Sequence, residues 1–133
     1  MIVVDSNIIA YFHIPGPYTA AAETLLASQG SWVAPVLWRS ELRNALAGYI
    51  RRGDLARDVA WTIQSEAEDL MSGGEYEVDS GTVFDLVDRS DCSAYDCEYV
   101  ALAMRLGTNL VTMDRQVLRA FPDVAVPLTE QAW

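Results

Sequence analysis

Short apolar runs and longer amphipathic stretches alternate along this chain. The apolar runs predict buried strands at residues 2–4, 32–34, 76–78, 109–112 and 124–126. Amphipathic stretches between them predict helices at about 18–28, 36–52, 81–87 and 93–106, with a helical turn after the first strand. Strands that alternate with helices are typical of a parallel sheet covered by helices on both faces. The pattern therefore predicts an α/β fold with a central, mainly parallel sheet of four to five strands.

Capping residues and apolar stripes set the expected ends and buried faces of the helices. Gly53 suits the position after the 36–52 helix, Gly107 closes the 93–106 helix, and Ser93 caps its start. Asp54 is expected to cap a further helix, whose buried stripe is predicted as Leu55, Val59, Ile63, Ala67 and Leu70. The stripe predicted for the 36–52 helix is Leu42, Ala45, Leu46, Tyr49 and Ile50.

Length and composition indicate one globular domain over residues 1–133. About half of the 133 residues are apolar, yet no apolar run approaches the roughly 20 residues of a membrane span. The start of the chain meets an acid at Asp5 and does not read as a secretory signal. Cys92 and Cys97 lack the spacing of a redox or zinc motif and are interpreted as reduced thiols. We therefore expect a cytoplasmic protein without a membrane segment.

The charged residues argue against several classes of function, namely proteins that coat nucleic acid and enzymes that depend on a lysine. The formal net charge is −10, and all nine basic residues are arginine. A protein that coats nucleic acid is normally basic, so contact with nucleic acid is expected to be local and helped by cations. The absence of lysine from the sequence excludes a P-loop, a Schiff base and a phospho-aspartate receiver.

Four acids have both a structural and a functional interpretation. Asp5 and Asp114 each follow a strand and precede a helix, where Asp is a common N-cap. Glu41, early in a helix, is ordinarily a solvated residue. Asp96 fits a capping box with Ser93, but it also continues a buried stripe, where a carboxylate needs a cation or hydrogen-bond donors.

Taken together, the four acids favour a functional site. The ends of parallel strands and the starts of the following helices share one edge of a sheet, which is where ligands bind. Thr112 is predicted to point from the same strand edge as Asp114. Four converging carboxylates repel one another without a counter-ion, and Mg²⁺ or Mn²⁺ is the cation that suits oxygen ligands. The sequence thus predicts a metal-dependent nuclease whose catalytic acids are Asp5, Glu41, Asp96 and Asp114.

Two arginines flank Glu41 on its helix. Arg39 and Arg43 are four residues apart, so both are candidates to contact a phosphate near the acids. Ion pairing with surplus surface acids is an equally good interpretation. If Arg43 contacts phosphate, the substitution Arg43→Ala should weaken RNA cleavage without unfolding the protein.

The chain resembles the PIN-domain family, in particular the VapC toxins of prokaryotic toxin–antitoxin pairs. The similarity is carried by Val3-Val4-Asp5-Ser6-Asn7-Ile8-Ile9, by Ser93-Ala94-Tyr95-Asp96 through Ala103, and by Leu110-Val111-Thr112-Met113-Asp114. It extends over the whole chain in length and element order, which implies a PIN-like three-layer α/β/α fold.

The resemblance also implies roles for individual residues. Asp5, Asp96 and Asp114 match metal-binding acids, Glu41 matches the helix Glu, and Ser6, Asn7 and Thr112 match their polar neighbours. PIN domains are typically Mg²⁺/Mn²⁺ ribonucleases, and VapC members typically form homodimers that a cognate antitoxin silences. The resemblance therefore implies an endoribonuclease toxin with RNA as substrate and an antitoxin as protein partner.

Other functions remain as alternatives to a nuclease. A catalytically silent PIN-like module would bind RNA or a protein without cutting, although the complete set of four acids speaks against it. A haloacid-dehalogenase-like phosphatase needs a second Asp two residues after Asp5, where Asn7 stands, and it usually needs a lysine.

Overall fold

The protein was analysed as a computed structural model that describes residues 1–128. Within that range the chain folds as an α/β structure around a five-stranded sheet. The sequence predicts a single domain over residues 1–133, and the last five of these, 129–133, lie outside the described part.

The sheet is parallel at every strand pair. Its strands are β1 (Ile2–Val4), β2 (Trp32–Pro35), β3 (Glu75–Tyr76), β4 (Leu110–Val111) and β5 (Ala125–Val126). Their order across the sheet is β3-β2-β1-β4-β5, and each neighbouring pair runs in the same direction. The predicted parallel sheet of four to five strands is confirmed, with five strands. The chain builds outward from β1 on one side and then returns to its other side, so the topological switch point lies between β1 and β4.

Seven helices connect and flank the strands in the described residues. They are α1 (Ser6–His13), α2 (Thr19–Ser28), α3 (Trp38–Arg51), α4 (Arg57–Leu70), α5 (Ser80–Asp88), α6 (Ala94–Leu106) and α7 (Arg115–Ala120). Helices α1 to α4 pack on one another, whereas α5 packs on α6, which lies against β1, β2 and β4. The chain thus has the predicted three-layer arrangement of helix, sheet and helix.

The central strands are buried because both faces of the sheet carry helices. Val3, Val4 and Val111 have no exposed surface, which explains why their strands are continuous apolar runs without alternation.

Gly107 ends α6 in the left-handed conformation with φ of 65°, and Gly53 follows α3 with φ of 78°, as their positions predict. No helix in residues 1–128 is long and apolar enough to cross a membrane.

The boundary around α4 differs from the sequence prediction. Asp54 does not cap this helix, since α4 begins at Arg57 after Ala56, and the Asp54 carboxylate pairs with Arg52 instead at 3.2 Å. Val59 is exposed, and so is Ile50 in the last turn of α3. The predicted face of α4 was drawn through apolar residues alone. The face that the helix buries includes the polar Gln64, so it is rotated about the helix axis relative to the predicted one.

Smaller shifts occur elsewhere in the chain. The third strand is Glu75–Tyr76, earlier than the predicted 76–78, because β2 pairs with Glu75 and Tyr76. Cys92 and Cys97 are both free and buried, as expected for thiols that form no disulfide.

Candidate functional site

Four carboxylates meet at the edge of the sheet where the strands end. Asp5 follows β1 and Asp114 follows β4, so the two flank the switch point. Helix α3 contributes Glu41 from its first turn, and α6 contributes Asp96 from its first turn. All four line one open cavity of about 610 Å³, together with Ser6, Asn7, Leu37, Ser40, Asn44, Ala45 and Tyr95. The fold therefore brings together the four acids that the sequence singled out.

Asp5 stands before α1 but does not cap it with its side chain. The Asp5 carboxylate instead accepts hydrogen bonds from the Thr112 hydroxyl at 2.7 Å and from the Ser6 hydroxyl at 3.3 Å. Burial raises the pKa of Asp5 above its ordinary value, and the hydrogen bonds from Thr112, Ser6 and the Asn7 backbone offset part of this rise. Asp5 therefore occupies the predicted N-cap position of α1, but its side chain makes no capping bond and the carboxylate is held toward the cavity.

Thr112 connects the two strand-end acids. Its side chain is fully buried; the hydroxyl donates to Asp5 and accepts from the Asp114 backbone amide at 3.1 Å. A buried hydroxyl with both functions satisfied has one preferred orientation. Thr112 thus fixes the position of Asp5 relative to the start of α7.

Asp114 has the structural role that its position predicts and also faces the cavity. One carboxylate oxygen, Oδ1, accepts hydrogen bonds from the backbone amides of Gln116 at 2.8 Å and Val117 at 3.2 Å, which caps α7. Since Oδ1 makes both capping bonds, Oδ2 remains for a ligand in the cavity. The capping and ligand-binding interpretations of Asp114 are compatible.

Glu41 is anchored by a tyrosine of the opposite helix. The Tyr99 hydroxyl donates to Glu41 Oε1 at 2.6 Å, and burial together with the adjacent carboxylate raises the Tyr99 pKa well above its usual range. Burial also raises the pKa of Glu41; the Tyr99 hydrogen bond opposes that rise, while the charges of Asp5 and Asp96 add to it. The Glu41 carboxylate is consequently rigid and is a better proton acceptor than an exposed glutamate.

Asp96 lies at the start of α6 beside its capping residue. The Ser93 hydroxyl accepts a hydrogen bond from the Asp96 backbone amide at 3.1 Å, which confirms Ser93 as the cap. The pKa of Asp96 is raised chiefly by burial and next by the charge of Asp114, with a further contribution from Asp5. The like charges of the cavity therefore act on each other even before a ligand is present.

A cation fits the chemistry of this cavity. Every charged group that lines it is a carboxylate, the ligand type that Mg²⁺ and Mn²⁺ prefer. Within residues 1–128, however, no three acidic, histidine or cysteine side chains are already close enough together to enclose an ion. Mg²⁺ keeps several of its waters and needs only one or two direct carboxylates, so an open cavity with facing acids meets its requirements.

The structure places the two candidate phosphate-binding arginines outside the cavity. Arg39 forms a bidentate ion pair with Glu75, at 2.6 and 2.7 Å, and a second pair with Glu68 at 3.1 Å. Arg43 is exposed and lines a separate groove between α3 and α4. The ion-pair interpretation therefore describes Arg39, and neither arginine contacts the four acids.

Sequence reasoning missed several polar residues of the cavity. Ser40 and Asn44 lie on the same face of α3 as Glu41, and Tyr95 precedes Asp96. Tyr99 was assigned only to a buried stripe, although its hydroxyl binds Glu41. Asn44 follows Glu41 by three residues and Ser40 by four, and this spacing was a usable signal because it places side chains on one face of a helix.

Comparison with known proteins identifies the family. Residues 2–124 match the family described as PIN domain. The chain belongs to the PIN-domain family. This PIN domain is 30% identical over 129 residues to Ribonuclease VapC3 of Pyrobaculum aerophilum, covering 95% of this chain and 98% of the relative.

Solved structures share the fold of this PIN domain. PAE2754 from Pyrobaculum aerophilum matches with a TM-score of 0.74 and 19% identity over 96% of this chain and 83% of that one. FitAcB from Neisseria gonorrhoeae matches with a TM-score of 0.77 and 16% identity over 98% of this chain and all of the other. The predicted PIN-like fold is confirmed.

The hydroxyl of Thr112 offers a test of how this PIN domain positions Asp5. Thr112→Val keeps the side-chain shape but removes the donor to Asp5 and the acceptor for the Asp114 amide. We expect RNA cleavage to fall roughly 10- to 100-fold, the loss typical when a group that orients a functional side chain is removed, and the free energy of unfolding to fall by about 1–3 kcal/mol. Cleavage rates and urea unfolding measure the two effects. Thr112→Ser, which keeps the hydroxyl, should restore most of the cleavage; equal losses in both variants would contradict the orienting role.

Proposed function

We propose that this PIN domain is a metal-dependent endoribonuclease that hydrolyses phosphodiester bonds of RNA. The observation that carries the proposal is the convergence of Asp5, Glu41, Asp96 and Asp114 on one open cavity. The similarity to Ribonuclease VapC3 over nearly the whole chain supports the same activity. A cluster of acids with raised pKa values in a cleft is also typical of a catalytic site.

Asp5, Asp96 and Asp114 would hold Mg²⁺ or Mn²⁺. When bound, the cation supplies an activated water and stabilises negative charge on the phosphate. The cation would offset part of the negative charge of the cavity, so the net charge of −10 would oppose RNA binding less strongly at the site. Thr112 and Ser6 keep the Asp5 carboxylate turned toward the cavity through the hydrogen bonds that they donate.

Glu41 is the proposed proton acceptor for the attacking water. Its Oε1 is occupied by the Tyr99 hydroxyl, which leaves Oε2 to take a proton as the water oxygen bonds to phosphorus. The bond from phosphorus to the bridging ribose oxygen then breaks, and that oxygen leaves with a proton from solvent. Ser40 and Asn44 supply neutral donors in the cavity for the non-bridging phosphate oxygens.

We further propose that the protein acts in the cell as the toxin of a toxin–antitoxin pair. The similarity to a VapC ribonuclease supports a cognate antitoxin as protein partner. The exposed side chain of Trp61 is a candidate contact for that partner or for a second copy in a homodimer. A cytoplasmic location follows from the same proposal, since the RNA substrate is there.

The activity is tested by incubating the purified protein, freed of any bound partner, with tRNA and rRNA fragments in Mg²⁺, Mn²⁺ or EDTA. We expect discrete cleavage products with either metal and none with EDTA. Asp114→Asn should abolish cleavage without unfolding α7, because Asn also caps helices while lacking the charge. Asp96→Asn should have the same effect on cleavage.

Asp79→Asn is the matched control. Asp79 caps α5 through the Thr82 amide, lies outside the acid cavity and undergoes the same loss of charge. This variant should cleave like the wild type. Metal-independent cleavage, or equal cleavage by Asp114→Asn, would contradict the proposal; RNA binding without any cleavage would favour the silent module.

A further inference from the structure

A second groove adjoins the acid cavity and is lined by aromatic rather than acidic side chains. We call it the tyrosine groove and define it by Tyr11, Tyr18 and Tyr49, with Ile14, Pro15 and Pro17 along its wall. Its volume is about 310 Å³, and it shares Asn7 and Ala45 with the acid cavity. The two cavities are therefore neighbours, separated only by these shared residues.

The wall of the tyrosine groove is held in place by local hydrogen bonds. The Thr19 hydroxyl donates to the Tyr11 carbonyl at 2.7 Å and accepts from the Gly16 amide at 3.0 Å, which ties the loop of residues 14–18 back to α1. Pro15 and Pro17 restrict the same loop, since proline fixes its φ angle. The rings thus sit on a preorganised platform, which lowers the entropic cost of binding.

The rings present stacking surface at the rim of the groove. Tyr11 and Tyr18 have ring centroids 4.9 Å apart at 43°, and Tyr18 is 36% exposed. The Arg52 guanidinium lies 4.8 Å from the centroid of the Tyr49 ring. No carboxylate lines the tyrosine groove, although the described chain carries acids over much of its surface.

We propose that the tyrosine groove is a base subsite, which takes an unpaired base of the nucleotide adjacent to the scissile phosphate. The proposal rests on the proposed ribonuclease activity and adds to it a subsite that stacks one unpaired base beside the acid cavity. Every base has a π-face that stacks on an aromatic ring, whereas a base inside a duplex is already stacked and cannot enter.

The kinetic test uses a single-stranded RNA oligonucleotide whose cleavage site has been mapped, with an abasic nucleotide placed on either side of that site. We expect wild-type kcat/KM to fall about 10- to 100-fold when one of the two adjacent bases is removed, the loss typical of one stacked base. Tyr18→Ala should reduce cleavage of the intact oligonucleotide by the same factor and should show no further loss with the abasic one. Tyr18→Phe should behave as the wild type because it keeps the ring.

Phe84→Ala is the control for removal of an exposed ring. Phe84 is 66% exposed on α5 and lines neither the acid cavity nor the tyrosine groove, so this variant should cleave both oligonucleotides like the wild type. A full abasic penalty that persists in Tyr18→Ala, or no penalty in the wild type, would overturn the base subsite while leaving the ribonuclease activity intact.

A binding measurement separates this inference from the activity on which it rests. Asp5→Asn protein is titrated with single-stranded RNA carrying 2-aminopurine, whose fluorescence is quenched by stacking. We expect the Asp5→Asn protein to quench the fluorescence. The double variant that also carries Tyr18→Ala should lose this quenching, and the one that carries Tyr18→Phe should keep it. No quenching, or the same quenching in all three proteins, would overturn the base subsite even if the wild type cleaves no RNA, and the groove would then be open to an apolar side chain of a protein partner.

Discussion

Asp5→Asn is expected to lower metal-dependent RNA cleavage by roughly 10³-fold, equivalent to about 4 kcal/mol in the barrier. The substitution changes one oxygen to nitrogen and removes the charge, while the remaining carbonyl still accepts the Thr112 hydrogen bond. Asp5 directly follows the central strand β1, which fixes the position of its backbone. We therefore expect no neighbouring carboxylate to take its place. Rates with saturating Mn²⁺ measure the loss.

The same variant is expected to be more stable than the wild type without metal. Burial raises the pKa of Asp5, so the ionised carboxylate is disfavoured in the folded protein, and a neutral amide removes that cost. We expect a gain on the order of 1 kcal/mol in urea unfolding with EDTA present. An inactive variant that is also less stable would indicate a structural role for Asp5, and full activity in the variant would contradict its role in catalysis.

The sheet edge was predictable because each of its residues is set by local sequence. Val3-Val4-Asp5 and Val111-Thr112-Met113-Asp114 both place an acid after an apolar run, and parallel strands bring such ends together. Glu41 and Asp96 were predicted from their positions early in helices. These two predictions did not depend on knowing how the helices pack, because in a parallel α/β fold the starts of the helices lie at the same edge of the sheet as the ends of the strands.

The residues that sequence reasoning missed depend on contacts between distant segments. The Tyr99 hydroxyl reaches Glu41 because α6 and α3 both border the cavity. The buried Gln64 donates through Nε2 to the Arg39 carbonyl and to Glu68. The sequence left phosphate contact and ion pairing as equally good interpretations of Arg39, and the ion pair forms because Glu75 on β3 lies next to it. Patterns of apolar residues carry no signal for polar pairs of this kind, because the partners are set by tertiary packing.

The stability of the metal-free protein is expected to fall as pH rises above the ordinary carboxyl pKa of about 4. Asp5, Glu41 and Asp96 all have folded pKa values raised above the ordinary carboxyl value of about 4. In the window between the unfolded and folded pKa values, the native state binds more protons than the unfolded state, so the free energy of unfolding decreases with pH. Glu75 and Asp79 have lowered pKa values and act in the opposite direction below about pH 4. Burial also lowers the pKa of His13 from its ordinary value of 6.5, so below that pH His13 opposes the effect of the carboxyl groups equally in the wild type and in the variants compared.

A divalent cation should cancel this loss of stability. The ion binds the ionised carboxylates, so its effect grows with pH and reaches about 2.7 kcal/mol at a free concentration 100 times the dissociation constant. Urea unfolding between pH 5 and 8, with EDTA or with Mn²⁺, measures both effects for the wild type, Asp5→Asn and Asp79→Asn. We expect the free energy of unfolding of Asp5→Asn in EDTA to depend less on pH than that of the wild type. Asp5→Asn should also lose most of the stabilisation by Mn²⁺, whereas Asp79→Asn should keep both the pH dependence and the stabilisation. Parallel curves for all three proteins would mean that the acids of the cavity neither strain the fold nor bind the cation.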